Sequence, residues 1–319
     1  MSANRLNIVF GGALFREAAE TSSWLTLLEK HDIKTIDTAT IYGDSEKLLG
    51  DAGAASKFVI DTKHPGAFRP VPATKNNVIS VLNTSLELLK ADSFDVYYIH
   101  SPDRKTPFKE TLEGLDELYK QGKFKRLGIS NFLAHEVEEM VQVAKENNFV
   151  VPSVYQGNYN AVGRLIEDDI FPVLRKHNMS FYAYSPIAGG FLAKTKEQLF
   201  GEGSRFLRKD GIGKIYNGMY NKPSFVEALA IWGSIATGEN ITPAELAYRW
   251  IFYHSQLKAE LGDAVIIGAS REKQLSDTLV AIERGPLKDA SVKKIEEMWG
   301  SVKADANLDN FAMIYGTTA

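Results

Sequence analysis

Four ionisable side chains in the first third of the chain follow or close short apolar runs: Asp37, Tyr42, Lys63 and His100. A phenol can protonate a substrate, but its ordinary pKa of about 10 makes it a poor acid at neutral pH. A neighbouring lysine ammonium would lower that pKa, and a carboxylate beside the lysine would keep the ammonium charged. A histidine could hydrogen-bond the substrate oxygen and share proton delivery as the pH falls. Together these residue types suit reduction of a carbonyl group by a hydride donor.

Each of these residues also has an ordinary structural explanation. A lone histidine that ends a strand is more often a hydrogen-bonded structural residue, and a lone lysine there is usually solvated. Glu46 is better explained as a solvated carboxylate in the first turn of a helix than as a contact in the surroundings of Lys63. The chemical interpretation therefore depends on whether the strand ends converge.

The elements that must position these residues alternate along the chain. Short β-branched or aromatic runs predict strands at 7–10, 35–39, 58–63, 95–100, 125–130, 153–160, 180–186 and 264–270. Apolar residues at helical spacing predict helices at 78–90, 109–121, 134–147, 167–177, 224–236 and 243–254, the last with Thr242 as its N-cap. Eight strands with helical crossovers and no linker predict an α/β fold, a (β/α)8 TIM barrel formed as one domain by residues 1–319. Since active sites of such barrels lie at the C-terminal strand ends, Asp37, Lys63 and His100 should meet there.

Composition narrows the kind of partner. The chain has 319 residues, 44% of them hydrophobic, and a net charge of −3, so nothing in its charge favours nucleic acid or an anionic membrane. It contains no cysteine, which excludes disulfides and thiolate metal ligands, and no metal site is predicted. No apolar run has the length of a signal peptide or a membrane span, so we expect a cytoplasmic protein that acts on a small molecule.

These motifs resemble the aldo-keto reductases essentially from end to end. Asp37, Tyr42, Lys63 and His100 are similar in order and spacing to that family's catalytic tetrad. LGISNF (127–132), YQGNYN (155–160), FYAYSPIAGGFL (181–192) and VIIGAS (265–270) resemble its cofactor-binding strand ends. Residues 159–190 and 246–270 look like the aflatoxin-aldehyde reductase branch, which implies reduction of dicarbonyls and semialdehydes, and a homodimer.

That branch carries an arginine in its C-terminal tail that is implicated in holding acidic substrates. Here no Arg or Lys follows Lys303. We therefore expect neutral carbonyl substrates. The polar tail should fold over the mouth of the barrel, where aromatic residues suggest bulky or aromatic substrates, although any of them could be a packing residue. The candidates for this pocket are Phe15, Phe132, Tyr216, Tyr220, Phe311 and Tyr315.

The cofactor implied is NADPH, in preference to NADH. Ser130, Asn131 and Gln156 offer donors and acceptors for a nicotinamide carboxamide, and Tyr184 offers a shelf for its ring. No GxGxxG fingerprint supports a Rossmann site. Residues expected along the cofactor's phosphates and adenosine are Gly12, Ser185, Pro186, Ile187, Gly189, Gly190, Gly268, Ser270, Arg271, Gln274 and Thr278, with Ser270 and Arg271 suited to a 2′-phosphate.

The segment 188–220 is a long glycine-rich insertion with several basic residues, among them Lys194 and Arg205. We interpret it as a lid over the cofactor, with Arg205 as its main phosphate contact; the alternative is a solvated, mobile loop.

Two further functions compete with the reductase. One is a nicotinamide-binding regulatory module with little turnover, like the potassium-channel β-subunits that resemble this family, although the intact tetrad speaks against it. The other is a Schiff-base aldolase that uses Lys63, which would need that lysine neutral.

Overall fold

Eight parallel strands close into a barrel in the computed structural model of this protein, which describes residues 5–209 and 211–316. The strands follow one another around the barrel in chain order, and β8 pairs with β1 to close it. The predicted (β/α)8 barrel is confirmed. The strands are β1 (Asn7–Gly11), β2 (Thr35–Asp37), β3 (Val59–His64), β4 (Phe94–Ile99), β5 (Phe124–Ser130), β6 (Val154–Asn158), β7 (Ser180–Tyr184) and β8 (Ala264–Ile267).

Each predicted strand is present, but β2 and the last three strands end two or three residues earlier than predicted. After β7 the chain leaves the sheet at once, because Ser185 adopts a left-handed backbone with φ of 55°. The residues that follow the strands therefore belong to the mouth of the barrel.

The described helices surround the strands and extend into the tail. The predicted helices are found within three residues at each end, and the Thr242 hydroxyl accepts a hydrogen bond from the Glu245 amide at 3.1 Å, as expected of an N-cap. The helices are α1 (Ala18–Lys30), α2 (Ser45–Asp51), α3 (Lys75–Leu89), α4 (Phe108–Lys120), α5 (Ala134–Glu146), α6 (Ile166–Lys176), α7 (Lys196–Leu199), α8 (Gly211–Tyr220), α9 (Pro223–Glu239), α10 (Pro243–Tyr253), α11 (Glu272–Glu283), α12 (Asp289–Val302) and α13 (Asn310–Tyr315).

The insertion 188–220 is not a structureless loop. Besides α7 and α8 it contains short 3-10 helices at Ala188–Ala193 and Arg205–Leu207. Phe191 and Phe206 are fully buried and pack edge to face, with ring centroids 5.8 Å apart. The segment therefore has a small aromatic core of its own, which the count of glycines and basic residues did not indicate. Its Asp210 lies outside the described residues.

Side chains inside the barrel alternate with side chains that face the helices. On β4, Val96 and Tyr98 belong to the interior cluster, whereas Tyr97 and Ile99 belong to the layer between strands and helices. The Tyr98 ring needs a glycine opposite, because a Cβ on Gly128 would lie 2.2 Å from it. Lys63 lies next to this interior cluster, with its Nζ 5.5 Å from the centre of the Tyr98 ring.

No helix within the described ranges has both the length and the apolar character needed to cross a membrane.

Candidate active site

A buried ion pair lies at the C-terminal ends of β2 and β3. The Lys63 ammonium donates to both carboxylate oxygens of Asp37 at 2.6 Å and to the Thr38 carbonyl at 2.7 Å. Since an ammonium has three protons, these three acceptors use all of them. The bidentate contact on one side and the carbonyl on the other fix the position of the charge.

Tyr42 lies beside this pair, with its ring centre 5.3 Å from Lys63 Nζ. The predicted lowering of its pKa does not occur. Burial raises the pKa of the Tyr42 phenol well above its ordinary value, and Asp37 and Tyr216 act in the same direction. The reason is that Lys63 directs its protons to Asp37 and Thr38 instead of to the phenol. Tyr42 is therefore fully protonated at neutral pH and holds a proton that it can donate.

His100 packs edge-on against Tyr42, with ring centroids 5.7 Å apart, and edge-on against Phe68 at 5.1 Å. Burial lowers the pKa of His100 well below its ordinary value, and the Lys63 charge lowers it further. The imidazole is therefore neutral, which corrects the expectation that it shares proton delivery as the pH falls. Its Nδ1 is buried without a hydrogen-bond partner among the described residues.

Glu46 is not solvated, contrary to prediction. It is 4% exposed, and its Oε1 accepts a hydrogen bond from the Thr62 hydroxyl at 2.6 Å. Burial raises the pKa of this carboxyl, while Thr62, Ser85 and Lys63 oppose that effect. The helix turn that carries Glu46 faces β3 instead of solvent, so the side chain supports the strand that presents Lys63.

The amide side chains predicted to hold nicotinamide form two hydrogen-bonded groups at the ends of β5 to β7. Gln156 donates through Nε2 to Asp37 at 2.9 Å. Asn131, at φ 62°, donates to the His100 carbonyl at 2.8 Å and to the buried Ser130 hydroxyl at 3.0 Å. The Tyr184 hydroxyl donates to Asn131 Oδ1 at 2.7 Å. Gln156 thus contacts the ion pair, while Asn131 joins the expected cofactor shelf at Tyr184 to the backbone of His100.

Backbone with positive φ follows β7. Ser185, Ala188, Gly189 and Gly190 all have φ between 53° and 97°, and Asn160 holds the Ser185 carbonyl at 3.1 Å. A Cβ on Gly189 would lie 2.3 Å from the Tyr216 ring, whereas the space beside Gly190 is open. Successive turns of this kind can direct amides at an anion, so the segment that includes Pro186 and Ile187 fits a pyrophosphate.

Arg205 lies against this segment. Its Nη1 donates to the Gly189 carbonyl at 3.3 Å, and its guanidinium lies 5.9 Å from the centre of the Tyr216 ring. Lys194 is half-buried just after the same turn. Gly12 directly follows β1, and a Cβ there would lie 3.0 Å from the Asp37 carbonyl.

Residues predicted to hold the adenosine end surround the start of α11. Gly268, Ser270 and Arg271 are exposed there, and both the amide and the hydroxyl of Ser270 donate to Gln274 Oε1, at 3.1 and 3.2 Å. Thr278 is buried, so it is poorly placed for a contact with adenine.

Three of the six aromatic candidates for the substrate pocket are packed in the interior. Phe15 packs on Phe10 at 5.9 Å, Phe132 on Phe108 at 5.7 Å and Tyr220 on Phe191 at 5.4 Å, and the three candidates are at most 2% exposed. Their aromatic type indicated a pocket, but large aromatics are also the usual filling of a core.

Phe311 and Tyr315 lie in the tail helix α13, at the mouth of the barrel. Phe311 packs edge-on against Phe68 at 5.5 Å, and Phe68 in turn contacts His100. Tyr315 lies 4.6 Å from Phe311, centre to centre, and is half exposed. Thr317–Ala319 of the tail lie outside the described residues. The tail thus reaches the ring that contacts the imidazole.

Phe68 and Arg104 were not singled out in the sequence, yet both lie at this mouth. Phe68 follows β3 in a 3-10 helix, and Arg104 follows His100 by four residues, with its guanidinium 5.6 Å from the centre of the Phe311 ring. Both belong to loops after strands that carry the tetrad candidates. Extending the search from strand ends to those loops would have found them.

The chain is similar to known proteins over most of its length. The model of the aldo/keto reductase family matches residues 7–300. The chain is 38% identical to oxidoreductase sirO of Leptosphaeria maculans over 93% of this chain and 90% of that protein. It is 37% identical to human aldo-keto reductase family 7 member A3 over 83% of this chain and 84% of the relative. It is also 36% identical to human aflatoxin B1 aldehyde reductase member 2 over 83% of this chain and 77% of the relative. The chain belongs to the aldo/keto reductase family.

Proposed function

We propose that this protein reduces aldehydes and ketones to alcohols with NADPH. The observation that carries the proposal is the buried Asp37–Lys63 pair with Tyr42 and His100 beside it. A protonated phenol, a fixed positive charge and a neutral imidazole are the groups needed where negative charge develops on a carbonyl oxygen. One barrel domain over residues 1–319 would carry all of them, and a homodimer stays a prediction from the family resemblance.

Each of the four residues has a distinct role in this proposal. Bound NADPH would supply the hydride to the carbonyl carbon. Tyr42 would donate its proton to the carbonyl oxygen, and its raised pKa keeps that proton in place until the oxygen becomes basic. Lys63 would stabilise the phenolate that remains, and Asp37 keeps Lys63 charged. His100, which is neutral, would orient the oxygen by a hydrogen bond.

The preference for NADPH rests on the start of α11. Arg271 is exposed at the end of the β8 loop, and Ser270 hydrogen-bonds Gln274. A guanidinium and a hydroxyl at a helix N-terminus are suited to a phosphate group. NADH lacks the 2′-phosphate that these groups would bind.

The substrates proposed are bulky or aromatic neutral carbonyl compounds. Phe68 and Phe311 join His100 to the tail through edge-on contacts at 5.1 and 5.5 Å, so the surface next to the reacting oxygen is aromatic. The tail residues 304–319 contain no Arg or Lys. A carboxylate brought to the tail would lose hydration without a cation from the tail itself.

A panel of aromatic aldehydes, aliphatic aldehydes and ketones, each assayed with NADPH and with NADH, tests the proposal. We expect loss of absorbance of the reduced nicotinamide, fastest with an aromatic aldehyde and NADPH. Tight NADPH binding without turnover of any substrate would favour the regulatory module instead. Borohydride trapping of a ketone on Lys63 would favour the aldolase, for which a lysine with three hydrogen-bonded protons is poorly suited.

A further inference from the structure

One cation does lie at the pocket mouth, although the tail supplies none. Arg104 comes from the loop between β4 and α4, and its guanidinium covers the Phe311 ring at 5.6 Å. Phe311 contacts Phe68, which contacts His100. The guanidinium is thus two aromatic rings away from the imidazole that would bind the carbonyl oxygen.

Glu136 of α5 forms an ion pair with Arg104. Arg104 Nε donates to Glu136 Oε1 at 2.6 Å, and the Glu136 side chain is 6% exposed. The other carboxylate oxygen, Oε2, accepts the Leu133 amide at 2.7 Å and so caps α5. The two terminal nitrogens of Arg104 donate no hydrogen bond to the described residues. One edge of the guanidinium is therefore held, while the other is available to a ligand.

A second carboxyl group, that of Asp309, interacts electrostatically with Arg104. Asp309 is 2% exposed and caps α13 by accepting the Ala312 amide at 2.7 Å. Burial raises the pKa of Asp309 to about 7, Glu136 raises it too, and Arg104 lowers it. The other titratable groups that face Asp309 are Tyr155 of β6 and Tyr184 of β7.

Those two phenols do not alter the charge balance. Burial raises the pKa of Tyr155 and of Tyr184 well above the ordinary value, so both are neutral at physiological pH. The cluster therefore contains one guanidinium, its carboxylate partner Glu136 and a second carboxyl group, Asp309, which gains a negative charge as the pH rises through about 7. Its net charge is zero or negative.

We propose that Glu136, with Asp309, sets the charge selectivity of the substrate pocket by cancelling the positive charge of Arg104. An anionic substrate at the mouth meets a guanidinium whose charge is already matched, so neutral carbonyl compounds are preferred. Without the Glu136 charge, the open edge of Arg104 becomes a bidentate site for a carboxylate. This inference rests on the proposed reductase function and names the residues that determine its substrate class.

The test compares 4-carboxybenzaldehyde with its methyl ester, which has a similar shape and no charge. The measured quantity is the ratio of kcat/KM for the acid to that for the ester, with NADPH. In Glu136→Gln we expect this ratio to rise about tenfold, mainly through a lower KM for the acid, the direction expected when an unfavourable charge is removed. Glutamine keeps an oxygen for the Leu133 amide, so the cap of α5 is preserved.

Matched variants separate charge from structure. Glu138→Gln makes the same change on α5, at a carboxylate that pairs with Lys176 and His177 on the outer surface, and should leave the ratio unchanged. Adding Arg104→Met to Glu136→Gln should remove the gain, since the cation is then absent. Arg104→Met alone should lower the ratio below wild type, which keeps the inference testable if Glu136→Gln does not fold.

The pH dependence gives a second readout that a purely structural role would not produce. As the pH rises through about 7, Asp309 ionises, so the wild-type ratio should fall. Asp309→Asn keeps a capping side chain and should flatten this change. An unchanged ratio in Glu136→Gln, or an equal gain in the Glu136→Gln/Arg104→Met double variant, overturns the inference.

The inference and the reductase proposal fail in different ways. If no aldehyde is reduced by wild type, the reductase proposal fails, and calorimetric titration with benzoate and methyl benzoate still measures the charge preference of the mouth. Tighter benzoate binding by Glu136→Gln than by wild type supports the inference there, and equal binding overturns it.

Discussion

Lys63 Nζ lies 2.6 Å from each carboxylate oxygen of Asp37, and the two side chains are 0% and 4% exposed. A buried ion pair stabilises a fold little more than apolar residues of similar volume would. Removal of one partner, however, leaves an uncompensated buried charge and is strongly destabilising. The pair therefore serves to hold a positive charge at a fixed place beside Tyr42. Gln156 adds a hydrogen bond to the same carboxylate at 2.9 Å.

The first prediction concerns the stability of this pair. Asp37→Asn and Lys63→Met should each lower the free energy of unfolding by about 3–5 kcal/mol, because each leaves a buried charge unpaired. The double variant should lose less than the sum, by at least about 1 kcal/mol, since it leaves neither charge. Urea denaturation of wild type, the two single variants and the double variant gives the double-mutant cycle. Strict additivity would show that the two charges are not coupled.

The second prediction concerns proton donation. Tyr42→Phe should lower kcat by at least about a hundredfold, the scale of losing a general acid, while the affinity for NADPH changes little. Tyr119→Phe, at an exposed tyrosine of α4, is the control and should behave as wild type. Steady-state kinetics and fluorescence titration measure the two effects. Turnover near wild type in Tyr42→Phe would remove the phenol from the proposed chemistry.

The third prediction concerns cofactor choice. Arg271→Ala should weaken NADPH binding by about 1.5–3 kcal/mol, the range for a hydrogen bond to a charged group, and leave NADH binding almost unchanged. Lys273→Ala removes another exposed cation of α11, one that already pairs with Asp277 at 2.7 Å, and should affect both cofactors little. Equal losses for NADPH and NADH in Arg271→Ala, measured by fluorescence titration, would contradict a 2′-phosphate contact.

The fourth prediction concerns the tail. The pKa of Asp309 is raised from 3.8 to about 7 in the folded protein, so the folded state binds an extra proton between these values. The stability that this proton confers is fully present below pH 4 and is lost as the pH rises through 7. Asp309→Asn removes the dependence and keeps the cap of α13.

Asp309→Asn should therefore have nearly the same free energy of unfolding as wild type at pH 4 and a higher one at pH 8. The gain in the free energy of unfolding at pH 8 is at most about 4 kcal/mol, at 1.36 kcal/mol per unit of pKa shift. Local opening of the tail would reduce this gain. Urea denaturation at the two pH values measures it. A variant that is equally stable relative to wild type at both values would show that Asp309 does not titrate in this range.

Much of the fold could be predicted from the sequence, because its signals are local. Runs such as FVIDTK and DVYYIH are short, apolar and β-branched or aromatic, and the helices between them repeat at helical spacing. Thr242 followed by Pro243 marks the start of α10 for reasons confined to one turn. Once eight strands are recognised, closure of the barrel brings the ends of β2, β3 and β4 together.

The sequence by itself thus determined the barrel, its strand order and the candidates Asp37, Tyr42, Lys63 and His100. Only the tertiary structure decided which groups neutralise one another, because charge and burial depend on neighbours that are distant in the chain. Glu46 is buried against β3, the protons of Lys63 point to Asp37 and Thr38, and His100 is neutral. Arg104, Glu136 and Phe311 come from a loop, a helix and the tail, and no local pattern relates them. Their contact exists only where the folded tail meets the mouth of the barrel.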